Sequence, residues 1–361
     1  MIRQLTVKNL RNLELQDTKI YPGYNLIVGE NGQGKTNFLE AIYLLAYGKS
    51  FRDEKSKIVN WKEEEARVFG KTDNDTLEII IRKNAENKVL INNKIKKTGA
   101  LIGRFVCVIF HPQEIEIVSG APSLRRSWLD RLISTVDKNY LHSLIEYNKA
   151  LQNKNKLLKM SAADSRMEVW DRILSKLGAK IWMRRRASVD QINQILRRES
   201  RRLTNKDVFI DYNSPLISST LKESENTYYK QLLSKRAQER RLLATIFGPH
   251  RDDFRIIFEQ TEEKNILQKE VSSFGSRAEQ RQSILLLKWA EARLFAEHFG
   301  EAPTILLDDV ASELDEKNRQ LLTHLYARQV IITTTTPTLL PKQIRSKAKV
   351  LKMIGGKLQS T

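Results

Sequence analysis

The chain has 361 residues, 40% of them apolar, and a formal net charge of +19. This composition excludes a disordered chain. The sequence contains no run of about 18 apolar residues, which a membrane-spanning helix would require. The single cysteine, Cys107, excludes an internal disulfide. We expect it to be a buried strand residue of a cytoplasmic protein. The five histidines show no metal-ligand spacing.

Residues 1–120 carry an α/β pattern. One helix is predicted at 36–47, and the segment "INNK" is typical of a hairpin turn, because asparagine tolerates a positive φ. Short apolar segments predict the strands around that helix: "RQLTVKN", "NLIVG", "LEIIIRK", "KVLIN" and "RFVCVIF".

A helical pattern replaces the strands from residue 122 to residue 243. Within it, apolar residues recur at helical spacing over 165–203, which predicts a helix about 60 Å long. The α/β character returns at 244, with strands at "DFRIIFE", "PTILLDD" and "QVIITTTT" and an amphipathic helix at "QRQSILLLKWAEARLF". We therefore predict an α/β lobe split into residues 1–121 and 244–361, with a helical arm inserted at 122–243.

The positive charge is concentrated in the predicted arm. Residues 121–240 carry 25 Lys and Arg against 13 Asp and Glu. A solvated helix surface and a binding surface for a polyanion such as DNA both fit this excess. For DNA, the candidate residues are the arm's arginine clusters, such as 184–186, or residues of the α/β lobe, such as Lys55 and Lys57.

The segment "GENGQGKT" matches a phosphate-binding loop at every fixed position, and it lies between a predicted strand and a predicted helix. Glycines let backbone N–H groups converge on phosphate oxygens, and the N-terminus of the helix adds positive potential. Lys35 is expected to neutralise the β- and γ-phosphates of ATP, and Thr36 to ligate Mg²⁺. The expected nucleotide-binding residues are Gly29, Glu30, Asn31, Gly32, Gln33, Gly34, Lys35 and Thr36.

A second part of a nucleotide site follows the apolar segment "TILL", where Asp308 and Asp309 stand at the end of a predicted buried strand. Asp308 is expected to hold Mg²⁺ through water, and Asp309 to position the attacking water. By itself an acidic strand end is common. Together with the phosphate loop, it predicts a catalytic set of Lys35, Asp308 and Asp309.

The wide separation of these two parts, with a helical insertion between them, is typical of ABC-type P-loop ATPases. That class carries a signature motif that opens a helix before the acidic strand and contacts the γ-phosphate held by a second subunit. The segment "SRAEQ" occupies this place, and Ser276 is placed to cap the helix. The predicted signature residues are Ser276, Arg277, Ala278, Glu279 and Gln280.

The chain resembles the RecF family, bacterial DNA-repair ATPases related to Rad50 and SMC heads, over nearly its whole length. The resemblance rests on "LTVKNLRNL", the phosphate loop, "GKSFR", "FHPQEIEIVSGAPSLRRSWLD", "GPHRDDF", "SRAEQR", "LLDDVASELD" and "ITTTT". It implies an ATPase head with a short arm that binds ATP and Mg²⁺, dimerises around ATP and binds DNA at gaps and single-strand/double-strand junctions. It also implies cooperation with RecO and RecR in loading RecA, which supports replication restart and SOS induction.

Further site residues follow from this resemblance. Arg11 and Asn12 are expected near the nucleotide. The dimer-facing D-loop is expected to comprise Ser312, Glu313, Leu314 and Asp315. Ala278 replaces the signature's usual glycine, which would crowd the partner's γ-phosphate or strain the backbone if its φ is positive. Gln113 follows a predicted strand at the place where other ABC ATPases carry a glutamine that contacts Mg²⁺, and it is weak evidence for such a residue here.

Several features favour slow turnover and a weak, DNA-stimulated ATPase that acts as a switch. Asp309 is one methylene shorter than the glutamate of most ABC ATPases. The last predicted strand ends in the threonines of "ITTTT", at the place where transporter ATPases carry a histidine near the γ-phosphate. The alternatives are the ATPase subunit of an ABC transporter, a small-molecule P-loop kinase and another SMC-like DNA clasp. The basic arm argues against a transporter subunit. The signature helix argues against a small-molecule kinase. The short arm argues against an SMC-like clasp with a long coiled coil.

Overall fold

Two compact units make up the chain in this computed structural model, which describes residues 1–53, 57–204, 206–214, 220–262 and 265–360. The first unit comprises Met1–Glu114 and Arg277–Thr361, and the second comprises Ile115–Ser276. Within the described part, no helix combines the length and the apolar content that a membrane span requires. Lys55 lies outside the described residues.

The first unit contains both sheets of the predicted lobe. Its strands are β1 (Ile2–Leu10), β2 (Leu13–Lys19), β3 (Gly23–Val28), β4 (Glu65–Thr72), β5 (Thr76–Arg82), β6 (Lys88–Ile91), β7 (Lys94–Lys96), β8 (Cys107–Phe110), β12 (Thr304–Asp308), β13 (Gln329–Thr334), β14 (Lys349–Ile354) and β15 (Lys357–Ser360). Its helices are α1 (Lys35–Tyr47), α9 (Arg277–Phe299), α10 (Val310–Glu313), α11 (Glu316–Leu321) and α12 (Lys342–Arg345).

One sheet is antiparallel, in the order β2-β1-β4-β5-β6-β7. The other has the order β15-β14-β3-β13-β12-β8, and all of its pairs are parallel except β14 with β15. In the parallel part, β3 and β12 both flank β13, so the carboxyl ends of the strands meet at one edge. Ligand sites of α/β sheets form at this edge.

Helix α1 is buried on nearly all sides, which explains its almost continuous apolar sequence. Its side chains share one core with residues of both sheets, including Val68 of β4 and Leu306 of β12. At Gly70 of β4, an added Cβ would lie 2.4 Å from Cδ1 of Leu45 in α1, so this glycine permits the close approach of helix and sheet. Cys107 is fully buried in β8, as its apolar surroundings predict.

The second unit combines helices with a small antiparallel sheet. Its helices are α2 (Glu116–Ser119), α3 (Pro122–Val136), α4 (Lys138–Lys159), α5 (Asp164–Thr204), α6 (Leu221–Ser234), α7 (Arg236–Leu242) and α8 (Val271–Phe274). Its strands are β9 (Asp207–Tyr212), β10 (Phe254–Glu262) and β11 (Asn265–Glu270), in the order β11-β10-β9.

The long helix α5 has 41 residues and includes the whole predicted stretch 165–203. The units change over at 114/115 and 276/277, whereas the sequence analysis places the arm at 122–243. The larger difference lies after residue 243, because β10 pairs in antiparallel register with β9 of the arm. Strand β9 is short and lies within a helical stretch, so the sequence pattern does not reveal this pairing.

The hairpin predicted at "INNK" is confirmed. Asn92 and Asn93 connect β6 to β7 with φ values of 50° and 61°. These are the positive angles that a two-residue hairpin turn requires, and asparagine tolerates them better than most residues.

Candidate nucleotide-binding site

The phosphate loop connects β3 to α1 at the carboxyl edge of the parallel strands. Gly34 has φ of 104°, which favours glycine, and directly precedes α1. An added Cβ at Gly29 would lie 2.5 Å from the carbonyl oxygen of Met353, so a side chain there would displace β14. Both glycines are therefore required by the backbone conformation or by packing, and the loop is held in shape from two sides.

Lys35 is the first residue of α1, and its ammonium group lies inside the loop. Nζ donates hydrogen bonds to the carbonyl oxygens of Gly29 at 2.7 Å and Glu30 at 2.8 Å. Burial lowers the pKa of Lys35, and the negative charges of Asp309 and Asp308 oppose this shift. The cation is thus fixed where the sequence motif requires it, beside the N-terminus of α1.

Asp308 ends β12 and faces the start of α1. Its Oδ1 accepts a hydrogen bond from the hydroxyl of Thr36 at 2.9 Å and another from the hydroxyl of Thr333 at 2.8 Å. Burial raises the pKa of Asp308, and the two hydroxyl donors oppose this shift. The fold therefore brings together the two residues that the sequence assigns to one magnesium ion.

Asp309 follows directly and adopts a left-handed conformation with φ of 48°. Its backbone N–H donates to the carbonyl oxygen of Thr333 at 3.1 Å. The Oδ1 atom of Asp309 is buried and has no hydrogen-bond partner among the residues that the structure describes. Because buried carboxylate oxygens are normally satisfied, this atom is suited to accept a hydrogen bond from a water molecule of the site.

The residues present fit a magnesium ion bound mainly by phosphate and water. Thr36 offers a hydroxyl oxygen and Asp308 a carboxylate oxygen, both hard ligands of the kind that Mg²⁺ prefers. Among the described residues, no group of three or more His, Cys, Asp or Glu side chains could hold a metal ion. Mg²⁺ bound with a nucleotide does not need such a cage, because the phosphates supply the other ligands.

Asn12 contacts the phosphate loop directly. Its Nδ2 donates to the carbonyl oxygen of Gly32 at 3.0 Å, and its Oδ1 accepts from Nδ2 of Asn37 at 2.6 Å. Asn12 therefore connects the turn between β1 and β2 to the loop and to the first turn of α1. Its place near the nucleotide stays a prediction.

The side chain of Arg11 is held by two carboxylates. Its guanidinium contacts Glu40 of α1, with Nη2 to Oε1 at 2.8 Å, and Asp53, also at 2.8 Å. Glu40 is fully buried and also receives Arg52 of the "GKSFR" segment at 2.9 Å. Burial opposes ionisation of Glu40, but the hydrogen bonds from Arg11 and Arg52 outweigh it and lower the pKa.

The sequence analysis did not single out Glu40. A usable signal exists, because Glu40 is the only charged residue within "NFLEAIYLLAY", and a charge in such a helix needs a partner when it is buried. The two arginines of "LRN" and "SFR" supply that partner.

The signature segment lies where the chain passes from the second unit to the first. Helix α9 begins at Arg277, so Ser276 stands immediately before it. Ser276, Arg277 and Ala278 are exposed, whereas Glu279 and Gln280 are half-buried. Ala278 is not among the residues with positive φ, so the methyl group causes no backbone strain. The role of the segment toward a second subunit remains a prediction.

The D-loop follows the acidic pair and is held by its own hydrogen bonds. Ser312 donates from Oγ to the carbonyl oxygen of Asp309 at 2.7 Å, and Asp315 caps α11 by accepting from the N–H of Asn318 at 2.7 Å. Leu314 is buried. Glu313 accepts a hydrogen bond from Arg281 of α9 at 2.6 Å, so the start of the signature helix and the D-loop are connected within the first unit.

Comparison with known proteins decides the family. A model of the RecF/RecN/SMC N terminal domain matches residues 1–355. The DNA replication and repair protein RecF of Clostridium perfringens (strain 13 / Type A) is 34% identical over 369 residues, which cover 99% of both chains. The chain belongs to the RecF family.

Solved structures agree with this assignment to the RecF family. The recombination mediator protein RecF with ATP, from the RecFOR pathway, aligns with a TM-score of 0.88 and 32% identity, covering 100% of this chain and 99% of the other. An Smc head domain from Pyrococcus furiosus aligns with a TM-score of 0.54 at 15% identity, which shows the fold alone. The predicted ABC-type ATPase head is therefore confirmed as the fold.

The segment "GPHRDD" lies in the second unit and forms the centre of a buried polar network. Asp252 accepts hydrogen bonds from Nε1 of Trp182 at 2.7 Å, from Nη1 of Arg185 at 2.9 Å and from the hydroxyl of Tyr212 at 2.5 Å. Burial raises the pKa of Asp252, and the charge of Arg185 opposes this shift. These contacts support a role of the segment in packing the second unit.

His250 belongs to the same network. One ring nitrogen, Nδ1, lies 2.7 Å from the hydroxyl of Tyr147, and the other lies 3.0 Å from the carbonyl oxygen of Thr245. Burial lowers the pKa of His250 to about 4. At Gly248, with φ of 146°, an added Cβ would lie 2.2 Å from the hydroxyl of Tyr228, so the turn tolerates no side chain.

The structure changes the interpretation of the arginine cluster at 184–186. Arg185 is almost fully buried and pairs with Asp130 at 2.8 Å and Asp252 at 2.9 Å, so it cannot contact DNA. Arg184 is exposed but pairs with Asp137 at 2.5 Å. Arg186 is exposed, and it remains a candidate.

Gln113 is exposed, in a single 3₁₀ turn after β8. The next residue, Glu114, is buried and pairs with the fully buried Lys288 of α9 at 2.5 Å. Lys288 also pairs with Glu291 at 3.2 Å. Sequence reasoning missed this cluster, although a lysine in the apolar run "ILLLKWAEA" is the same kind of signal as Glu40.

Proposed function

We propose that this chain is an ATP-dependent DNA-binding protein of recombinational gap repair that acts in the cytoplasm. Its relatives in the RecF family are named DNA replication and repair proteins, and the similar structures with nucleotide belong to the RecFOR pathway. The net charge of +19 fits a polyanionic partner. DNA gaps and single-strand/double-strand junctions are the proposed substrates.

The observation that carries the nucleotide part of the proposal is the contact between Thr36 and Asp308 at 2.9 Å. It places a hydroxyl from the phosphate loop and a carboxylate from β12 at one point, with the ammonium of Lys35 held in the same loop. Mg²⁺, when bound with ATP, would neutralise phosphate charge at this point. Lys35 would bind the β- and γ-phosphates, and Asp309 would orient water.

The proposed site is completed by a second copy of the chain. The signature residues 276–280 would contact the γ-phosphate held by the partner, and the D-loop 312–315 would face it. The exposure of Ser276, Arg277 and Ala278 supports this role, because side chains that bind across a dimer must be accessible in the single chain. The ion pair of Arg281 with Glu313 supports joint movement of the two segments.

ATP binding, in this proposal, is the step that closes the dimer on DNA, and slow hydrolysis reopens it. The short side chain of Asp309 supports slow turnover, because it reaches a water molecule less closely than a glutamate would. RecR and RecO are the proposed partner proteins, and RecA loading is the proposed outcome.

Sizing by light scattering tests the proposal. The chain is measured with ATP, with ADP and without nucleotide, each with Mg²⁺ and with or without gapped DNA. A dimer that requires ATP and retains DNA is the expected result. A monomer at saturating ATP and Mg²⁺, with gapped DNA present, contradicts the proposal.

A further inference from the structure

The last part of the chain has an extreme charge pattern. All 43 Asp and Glu residues lie before residue 317, whereas residues 317–361 contain nine Lys and Arg. A carboxylate-free segment of this length cannot neutralise its own positive charges. In a folded protein, such a segment creates a positive potential unless other parts of the chain supply acids.

Six of these nine cations are exposed, and we refer to them together as the C-terminal basic surface. All six are exposed, and within the described residues none forms an ion pair. They belong to α12, the turn after it and the β14–β15 hairpin: Lys342, Arg345, Lys347, Lys349, Lys352 and Lys357.

Three exposed arginines of α5 differ in this respect. Arg184 pairs with Asp137, Arg201 with Asp207, and Arg202 with Glu199. Their charge is therefore partly neutralised, although the sequence analysis named the arm's arginine clusters as one candidate for DNA binding. Unpaired cations bind phosphate without first breaking an ion pair, so the C-terminal basic surface is better suited to that role.

Two lysines of this surface share one face of the edge hairpin. In β14, Leu351 and Met353 point inward, so Lys352 and Ile354 point outward. Ile354 pairs with Lys357 across the hairpin, which places Lys357 on the same face as Lys352, as a diagonal neighbour. The two ammonium groups can therefore contact neighbouring phosphates of one backbone.

This hairpin lies directly beside the nucleotide site. Lys352 is in register with Val28, the last residue of β3 before the phosphate loop. The backbone N–H of Gly356 donates to the carbonyl oxygen of Gln33 at 3.0 Å, and the N–H of Gly355 donates to Oε1 of the same glutamine. The turn of the hairpin is thus hydrogen-bonded directly to the phosphate loop.

We propose that Lys352 and Lys357 of the C-terminal basic surface bind the phosphate backbone of nucleic acid next to the ATP site. This inference rests on the proposed function and names a surface for it. Lysine contacts to phosphates are independent of base sequence and release bound counterions, so their number appears in the salt dependence of binding.

The test compares salt slopes. A double variant, Lys352→Gln with Lys357→Gln, and the unsubstituted chain are titrated onto a duplex with a single-stranded extension, with ATP and Mg²⁺, between about 50 and about 200 mM salt. Binding is followed by anisotropy. The slope of log K against log salt should fall in magnitude by about two, about one for each lysine, together with the affinity.

The matched control is Lys94→Gln with Lys96→Gln. These two exposed lysines lie on β7, which is also an edge strand of the first unit. Lysines on edge strands commonly prevent sheet-to-sheet association, and the control shares that function. The control should retain the original slope, and Lys352→Arg with Lys357→Arg should restore it.

Three results overturn the inference. In the first, the salt slope of the Lys352→Gln, Lys357→Gln variant is unchanged. In the second, this variant and the Lys94→Gln, Lys96→Gln control lose slope equally. In the third, the Lys352→Gln, Lys357→Gln variant loses affinity for ATP in the absence of DNA, which assigns the lysines to the nucleotide. If the unsubstituted chain binds no DNA with ATP, the proposed function fails along with the inference. A changed salt slope in a chain that still binds ATP supports it.

Discussion

The hydroxyl of Thr36 lies 2.9 Å from Oδ1 of Asp308, although 272 positions separate the two residues in the sequence. The contact joins the first turn of α1 to the end of β12, and the chain between these two points includes the entire second unit. The two residues therefore reach each other only when both halves of the first unit have folded together.

Replacing Thr36 with valine should weaken binding of Mg²⁺–ATP by about tenfold or more, because the charge-assisted hydrogen bond to Asp308 and the proposed magnesium ligand are lost together. Valine retains the shape of threonine, so the fold should persist. Titration calorimetry with ATP, in the presence and absence of Mg²⁺, measures the effect. Thr36→Ser keeps the hydroxyl and is the control. Equal affinities for the valine and serine variants would contradict the assignment.

Replacing Ser276 with arginine should abolish the ATP-dependent dimer while leaving ATP binding by the single chain intact. The reason is that the added side chain would fill the space proposed for the partner's γ-phosphate. Light scattering and nucleotide affinity, measured on the same sample, separate the two effects. Ser234→Arg, at an exposed position of α6, is the control for an added arginine. A dimer of normal stability in the Ser276→Arg variant would refute the role in trans.

Replacing Arg185 with methionine should destabilise the fold by about 3–5 kcal/mol, because Asp130 and Asp252 would lose a buried partner. Urea denaturation measures this change. Arg186→Gln, one residue further along α5 and exposed, should change the free energy of unfolding by less than about 0.5 kcal/mol. Similar effects of both substitutions would show that the network around Asp252 contributes little.

His250 should make stability depend on pH in the acidic range. Its pKa is about 4 in the folded chain, and an unfolded histidine titrates near 6.5. As the pH falls from about 6.5 toward about 4, the unfolded state takes up a proton that the folded state does not. The contribution of His250 is therefore fully present above pH 6.5 and is lost as the pH falls through this window.

Denaturation midpoints of the unsubstituted chain and of His250→Gln, compared from pH 7 to pH 4, isolate this term. The glutamine variant should show the shallower decrease, whatever its stability at pH 7. Parallel curves would mean that His250 accepts its proton in the folded chain.

Some elements were predictable because local pattern and burial coincide. The phosphate loop and α1 follow from glycine spacing next to two apolar runs, and the helix begins within one residue of its predicted start. Asp308 was predictable for the same reason, since four apolar residues lead into it. The pairing of Thr36 with Asp308 followed from the chemistry of magnesium and not from any local pattern.

Other features depend on contacts between distant parts of the chain. Strand β14 has exposed lysines alternating with buried residues, and its place beside β3 depends on parallel pairing that no local signal encodes. The position of Arg185 was misjudged because three consecutive arginines on a helix face different directions, and only the packing shows which is buried. The ion pairs of Glu40 with Arg11 and Arg52 likewise form only when three separate segments of the chain meet.

The burial of Cys107 has a practical consequence. The chain has one cysteine, and its side chain is fully buried in the hydrophobic core of the first unit. A cysteine introduced at an exposed serine such as Ser234 would thus be the only thiol open to maleimide chemistry in the folded protein. Site-specific spectroscopic reporters can be attached without first removing the natural residue.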